Sequence, residues 1–246
     1  MGITSHCSVS DALTTHRRRR HRVEILNKIE DELESLRLRT DVTGNDIPLW
    51  RKKNDAFKSK FYSKDTWHLI RQVKPKCSWY KGVWFPNSTP KHAFITWIAI
   101  NNRLATGDRL IKWNASSNGS CVLCGQGVET RDHLFFSCHY SSQVWSALAR
   151  DMLGSNFTAR WESLLPLLNA PSTPRLHLFV LRYVFQLTIY SIWRERNGRR
   201  HGDTPTPASK LTRLIDKNAR NRLSTLAQSG SPVYEGGLRY WFHTHS

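Results

Sequence analysis

Residues 121–138 read CVLCGQGVETRDHLFFSC and bring three cysteines and one histidine within 18 positions. Two cysteines separated by two residues can offer two thiolates to one metal ion from a single tight turn. Gly125 and Gly127 follow this pair and allow the backbone to fold around the metal. A set of three thiolates and one imidazole suits a tetrahedral zinc ion. We therefore predict one zinc ion per chain, with the ligands Cys121, Cys124, His133 and Cys138.

The second half of this motif sets a geometric condition. His133 and Cys138 are five positions apart, so they share a helix face only if the helix is short or distorted at Cys138. His139 is the alternative to Cys138 as the fourth ligand. If the segment binds no metal, it consists of three reduced cysteines beside a surface histidine. Four protein ligands leave no coordination position for water, so the predicted zinc is structural. Such an ion stabilises a segment too small to fold by apolar burial alone.

The charge of the chain restricts its function. The 246 residues contain 37 Lys and Arg against 19 Asp and Glu, a formal net charge of +18. This excess disfavours an enzyme for acidic substrates or small metabolites and favours a polyanionic partner, most simply RNA or DNA. No Ser/His/Asp or Cys/His set has a supporting spacing, so we assign no catalytic residue and predict a protein that is not an enzyme.

Cysteine count and hydropathy indicate a reducing compartment. The chain has five cysteines and an N-terminal segment without an apolar signal-peptide stretch, which argues against a disulfide framework. We expect a nuclear or cytoplasmic protein that is not secreted. The longest apolar run, residues 176–193, is interrupted by His177, Arg182 and Gln186, and we interpret it as a buried helix rather than a membrane span.

Composition divides the chain into three parts and predicts a mainly α fold. The first part, residues 1–48, begins with a basic disordered tail over 1–22 and continues with an amphipathic helix over 23–39. Residues 49–154 are the compact zinc-binding domain, and residues 155–246 are a basic helical region. Strand-like alternation is weak, and residues 78–85 are the best candidate for a strand.

Helix signals place the core. Thr89-Pro90 predicts the start of an apolar, buried helix over 91–101. A long helix is predicted over 175–197, ended by Gly198, and a last helix after Thr206-Pro207. Trp67, Trp97 and Trp145 fall on apolar stripes and are predicted to be buried, whereas Trp50 is predicted to be exposed.

Residues 61–145 carry a family resemblance beyond the metal motif. The matching stretches are FYSK (61–64) with Trp67, VWF (83–85), PKHAFI (90–95), RLATGDRL (103–110) with Trp113, the metal motif with Glu129-Thr130 and HLFF (133–136), and Val144-Trp145. They resemble the zinc-binding domain at the C-terminal side of reverse transcriptases of plant LINE-type (non-LTR) retrotransposons. IWRERN (192–197) resembles a segment that follows this domain. Asn114 departs from the glycine that the family usually has after the tryptophan.

The resemblance does not bring the polymerase. The family's catalytic pair of adjacent aspartates lies upstream of the domain, and no two adjacent aspartates occur in this sequence. The resemblance therefore implies a detached, non-catalytic piece of a retroelement.

Two arginine clusters are the candidate nucleic-acid contacts. They are Arg17, Arg18, Arg19 and Arg20, and then Arg194, Arg196, Arg199 and Arg200. The first cluster has two interpretations. It either acts as a nuclear-import signal or phosphate contact, or it is a solvated tail without a function. The second lies in a region, 175–222, with eleven Lys and Arg against three acids, although cations at a helix end also stabilise the helix dipole. We predict non-specific binding of RNA or DNA. The alternative is a zinc-stabilised protein-interaction module that docks to an adjoining reverse transcriptase.

Overall fold

A computed structural model describes residues 2–38, 47–52, 55–115 and 118–245. The chain forms two compact units, residues 1–74 and residues 75–246. Within the described residues there are eleven α-helices and one antiparallel pair of two-residue strands, so the predicted mainly α fold is confirmed. The division at residues 48 and 154 that composition suggests remains a prediction. The boundary between the two compact units falls between residues 74 and 75 of the chain.

The first unit consists of short elements. Helix α1 is Val9–Thr15 and helix α2 is Glu24–Arg37. Strands β1 (Trp50–Arg51) and β2 (Phe57–Lys58) pair antiparallel, with Trp50 opposite Lys58. Helix α3 is Ser63–Ile70. Helix α1 packs on α2.

The N-terminal segment differs from the predicted disordered tail. Ser8 and Asp11 form a capping box that starts α1. Glu30 of α2 is 2% exposed and is hydrogen-bonded to His16 at 2.9 Å and to His21 at 2.8 Å. The hydrogen bond with His21 is the main reason that the pKa of Glu30 is lowered to about 2. Polar contacts of this kind leave no apolar periodicity, so composition alone misses the ordering.

The second unit contains the remaining helices. Their bounds are α4 (Tyr80–Val83), α5 (Pro90–Ile100), α6 (Gly107–Trp113), α7 (His139–Leu153), α8 (Trp161–Leu167), α9 (Arg175–Arg200), α10 (Ala208–Gln228) and α11 (Gly237–His243). A π-helical turn, His133–Ser137, precedes α7, and a 3-10 turn, Gly154–Asn156, follows it.

Helix α9 is the centre of this unit. It packs against α5, α7, α10 and α11. The rings of Phe136, Trp145, Trp161 and Phe185 form an aromatic cluster between α9 and its neighbours, with centroids 5.1–6.3 Å apart. By length and composition alone α9 could cross a membrane, but 61% of its most apolar window is buried inside the protein. This burial is typical of the core helix of a globular fold.

Two predictions about local structure and burial need correction. The strand predicted over 78–85 is replaced by helix α4. Trp145 is fully buried as predicted, but Trp67 is 58% exposed and Trp97 is only half-buried. Trp50 is exposed, as predicted. An apolar stripe therefore identifies a helix face without showing how far that face is covered.

The end of the long helix also differs from the prediction. Helix α9 continues through Gly198 to Arg200. A Cβ at Gly198 would lie 2.7 Å from the carboxylate of Asp203. The glycine therefore permits close approach of the following loop and does not end the helix.

Candidate metal centre

The first two ligands lie on a tight knuckle. Residues Ser120 and Val128 form an isolated antiparallel bridge, which closes the loop between them. Inside it, the Gly125 amide donates to the Cys121 carbonyl at 2.7 Å, and the Cys121 amide donates to the Gly127 carbonyl at 3.1 Å. Gly125 and Gly127 have φ values of 72° and 65°, in the left-handed region that favours glycine. The Cys-x2-Cys segment therefore turns back on itself and presents both thiols to one point.

The other two ligands are aligned by the π-helical turn. In an α-helix, residues five apart are about 140° apart around the axis, so His133 and Cys138 would diverge. In the structure the Cys138 amide donates to the His133 carbonyl at 2.7 Å, the i→i+5 bond of a π-helix. Thr130 supports the start of this turn, because its Oγ1 accepts a hydrogen bond from the His133 amide at 3.1 Å. The distortion that the spacing requires is therefore present.

The four side chains converge within zinc-binding distance. Their ligand atoms all lie within 4.8 Å of one another. The sulfurs of Cys121 and Cys138 are 3.8 Å apart, and Cys124 Sγ is 3.3 Å from His133 Nε2. A tetrahedral ion with Zn–S bonds of about 2.3 Å places two sulfurs about 3.8 Å apart. The donor set and its dimensions thus fit one zinc ion.

His139 is not part of this cluster. Its side chain is exposed, and its Nε2 lies 2.9 Å from Nε2 of Gln143, one turn further along α7. Cys138, by contrast, is fully buried. The structure therefore favours Cys138 over His139 as the fourth ligand.

The two buried thiols are electrostatically coupled. The hydrogen bond from Cys121 to Cys138, together with burial, raises the pKa of the Cys121 thiol. The same bond lowers the pKa of Cys138. Zinc takes its cysteine ligands as thiolates, so metal binding would displace the thiol protons.

The ligand-bearing turn is anchored in the protein core. Leu134 and Phe135 are fully buried, and Phe136 is 2% exposed. Phe136 contacts Trp145 and Trp161 in the aromatic cluster. A zinc ion here would join the knuckle to the core, and its four protein ligands would leave no open coordination position, which is the arrangement of a structural site.

A buried carboxylate connects the knuckle to α9. Glu129, four residues before His133, has no exposed surface and accepts from Arg196 at 2.6 Å and from the Gly107 amide at 3.0 Å. Arg199 donates to the Leu123 carbonyl, inside the knuckle, at 3.0 Å. Two helix-end arginines thus hold the metal segment from outside its own sequence.

These contacts change the interpretation of the second arginine cluster. Arg196 is 4% exposed and its guanidinium is committed to Glu129, while Arg199 is paired with Glu195 at 2.8 Å. Arg200 is half-buried, 3.3 Å from the Asn118 carbonyl and 3.7 Å from Glu129. Of the four, only Arg194 is exposed. The guanidinium groups of Arg196 and Arg199 are therefore engaged within the protein, which counts against these two residues as nucleic-acid contacts.

The first arginine cluster is on the surface of the first unit. Arg17, Arg18, Arg19 and Arg20 are all exposed. Arg18 forms an ion pair with Asp31 at 2.5 Å, with both side chains largely in solvent. Such exposed pairs are weak and compete poorly with a polyanion.

Glu129 is the site residue that sequence reasoning missed. The Glu129-Thr130 pair and the distant IWRERN segment are both among the stretches that resemble the family, but nothing in either stretch says that they meet. The available signal was an acidic residue inside the metal motif and an arginine near the end of a largely apolar helix. Charged residues are rarely buried unless they are paired, but neither stretch shows that its charged residue is buried or which residue is its partner.

Comparison with known proteins agrees with this geometry. Residues 61–145 match the family described as zinc-binding in reverse transcriptase. An uncharacterised mitochondrial protein of Arabidopsis thaliana is 35% identical over 78 residues, which are 30% of this chain and 54% of that protein. The chain thus spans about half the length of that relative. No solved structure matches the chain. The resemblance to a reverse-transcriptase zinc-binding domain that the sequence shows is confirmed for residues 61–145.

Proposed function

We propose that this chain is a non-catalytic, retrotransposon-derived module that binds RNA or DNA without sequence specificity. The zinc-binding segment and its family support a module accessory to a polymerase. The binding function is supported by one observation above all. A row of exposed cations runs along α10, formed by Lys210, Arg213 and Lys217.

The spacing of this row suits phosphate contact. Positions three and four apart lie on one face of an α-helix, so the three side chains project from the same side of α10. Within the described residues none of the three has an acidic partner. Unpaired cations on one face lower the free energy of a bound polyphosphate by releasing its counterions.

The predicted cation set is revised by the structure. Arg17, Arg18, Arg19, Arg20 and Arg194 are exposed and stay in the proposal. Arg200 stays as a half-buried, secondary contact. Arg196 and Arg199 leave it, because their guanidinium groups are held by Glu129 and Glu195. We expect poor sequence discrimination, since contacts to phosphate carry no base information.

The experiment replaces the α10 row. The triple variant Lys210→Gln, Arg213→Gln, Lys217→Gln should bind single-stranded RNA and duplex DNA more weakly. Binding weakens with salt, so the slope of log K against log salt is negative. In the variant this slope should become less negative by roughly 0.7–0.9 for each phosphate that the variant no longer neutralises. The charge-retaining variant Lys210→Arg, Lys217→Arg is the matched control and should bind like the wild type. A triple variant with unchanged affinity and salt slope would refute the role of this row.

A second candidate function is docking to an adjoining reverse transcriptase. Helix α3 lies within the matched family segment and has no buried residue. Trp67 is 58% exposed, Ile70 72% and Val73 80%. Exposed apolar side chains on one short segment are typical of a protein-binding surface. Binding through this surface would change little with salt and would be abolished in Trp67→Ser, Ile70→Ser, whereas phosphate binding would persist in that variant.

We also propose a nuclear or cytoplasmic location, with the run Arg17–Arg20 as the import signal. Four exposed arginines in sequence are the type of basic cluster that import receptors recognise. A fluorescent fusion should lose nuclear accumulation when all four are replaced by Gln. Equal distribution of both fusions would contradict the import role.

A further inference from the structure

A groove on the second unit, distant in sequence from the metal motif, includes Arg194 but has no other role in the function proposed so far. It lies between the start of α5, the middle and end of α9, the loop that follows α9 and the first half of α10, and has a volume of about 550 Å³. Its lining combines aromatic rings, cations and amide or hydroxyl groups, including Tyr183, Tyr190, Ser191 and Asn218. This mixture differs from the apolar lining of a core cavity.

Aromatic rings form one wall of the groove. The rings of His92 and Tyr190 are 4.6 Å apart, and that of Tyr183 is 6.2 Å from His92. Tyr190 is only half-buried, so part of its ring is open to the groove. A planar base can stack on such a ring whatever its identity, because every base has a π-face.

Cations flank this wall. Lys91 Nζ lies 5.2 Å from the centre of the Tyr190 ring, and the exposed Arg194 lies one turn further along α9. Glu195 also lines the groove, but its carboxylate is paired with Arg199 at 2.8 Å. Asp203 is the other acid of the lining. Two cations beside an aromatic ring are the pair of features that contact the phosphate and base of a single strand.

One buried polar atom in this groove is unsatisfied. His92 is 6% exposed, and its Nδ1 has no hydrogen-bond partner among the residues that the structure describes. Burial lowers the pKa of His92 to about 4, so the ring is neutral at pH 7 and can accept or donate a hydrogen bond. Leaving such a buried polar atom unpaired is unfavourable. His92 lines the groove, so a ligand with polar edges would supply the missing partner after a small shift of the atoms that cover Nδ1.

We propose that this groove binds one nucleotide of a single-stranded RNA or DNA. The base stacks on Tyr190, its polar edge reaches His92, and the adjoining phosphate lies between Lys91 and Arg194. The assignment rests on the proposed nucleic-acid binding and deepens it, because it adds a preference for unpaired strands. A base inside a duplex is stacked and paired, so it cannot enter the groove.

The experiment compares the affinities of the protein for single-stranded and duplex oligonucleotides of the same length, measured at the same salt concentration. Tyr190→Ala should weaken binding of a single-stranded oligouridylate by about fivefold or more, the effect of losing one stacked base. Tyr190→Phe keeps the ring and should bind like the wild type. Duplex DNA should bind all three proteins equally. Zinc content and thermal melting of each variant establish that it is folded.

A cross-linking measurement gives a direct readout. Irradiation of wild-type protein with a single-stranded oligonucleotide that carries 5-iodouridine should join the base to a peptide containing Tyr190 or His92. Lys91→Gln should reduce the cross-link, whereas Lys112→Gln, an exposed cation on α6, should not. If Tyr190→Ala weakened single-stranded and duplex binding equally, or if the cross-link mapped elsewhere, the groove assignment would be overturned. If neither nucleic acid bound the wild type, the proposed function itself would fail.

Discussion

Glu129 and Arg196 are 67 positions apart in the chain and form an ion pair of 2.6 Å with almost no exposed surface. Glu129 belongs to the metal motif and Arg196 to the last turns of α9. The Arg196 guanidinium also donates to the Ala105 carbonyl at 2.8 Å. The pair thus joins three stretches of chain that lie near the metal centre.

Removing one partner of this pair should destabilise the second unit. Arg196→Gln leaves the carboxylate of Glu129 buried with only the more distant Arg200, 3.7 Å away, as a charge partner. We expect the free energy of unfolding to fall towards the lower end of about 3–5 kcal/mol. Urea denaturation of zinc-loaded protein measures this change. Arg194→Gln, an exposed substitution two residues away, is the matched control and should change stability by no more than about 0.5 kcal/mol. Equal stability of the two variants would show that the pair is not a structural tie.

Metal analysis should find one zinc ion per chain. Cys124→Ala removes a thiolate from the half-buried side of the site, and we expect it to lose the ion. Cys77→Ala is the control, because Cys77 is exposed and outside the ligand cluster. His139→Ala should also retain the metal. Full zinc retention in Cys124→Ala would contradict the ligand set.

Chelation of zinc should loosen the metal segment before it unfolds the core. With a closed ligand set the ion contributes to folding, so the melting temperature should fall when it is removed. Hydrogen exchange should accelerate over residues 118–138, while the amides of α9 between Phe179 and Ile189, which are buried, remain protected. Unchanged melting and unchanged exchange after chelation would exclude a structural role.

The stability of the second unit should decrease in mild acid because of His92. Its pKa is about 4 in the folded protein and about 6.5 when exposed, so between these values only the unfolded chain takes up a proton. The resulting loss of stability begins as the pH falls below 6.5 and is complete near pH 4. It amounts to at most about 3.4 kcal/mol, because each unit of difference in pKa corresponds to about 1.4 kcal/mol.

The measurement for this effect compares two proteins. His92→Phe removes the titrating group, so the difference in unfolding free energy between wild type and variant should change across that pH window. The zinc site is the same in both proteins, so its contribution cancels in the comparison. A difference that stayed constant from pH 7 to pH 4 would show that His92 is protonated equally in the folded and unfolded chains.

The sequence predicts the parts of this protein that depend on local pattern. The four metal ligands follow from spacing, and the start of α5 follows from Thr89-Pro90. The predicted last helix begins directly after Thr206-Pro207, at Ala208. In each case neighbouring residues determine the outcome, so a short window contains the needed information.

The failures share a different physical cause. Trp67 lies on an apolar stripe, yet α3 has no buried residue, and periodicity does not show whether a covering partner exists. Glu30 and Arg196 are charged, and only distant partners explain why they are buried. Pairing between residues far apart in the chain leaves no trace in a local pattern.

The π-helical turn makes the number of residues between two ligands a condition for metal binding in its own right. His133 and Cys138 meet because five residues complete one i→i+5 turn, not because of the residues at positions 134–137. Removing or adding one residue there would rotate Cys138 by about 100° around the axis and carry its sulfur away from the other three ligands. A relative that keeps all four ligand types but changes this gap would therefore have lost the ion, and an inventory of its cysteines and histidines would not reveal the loss.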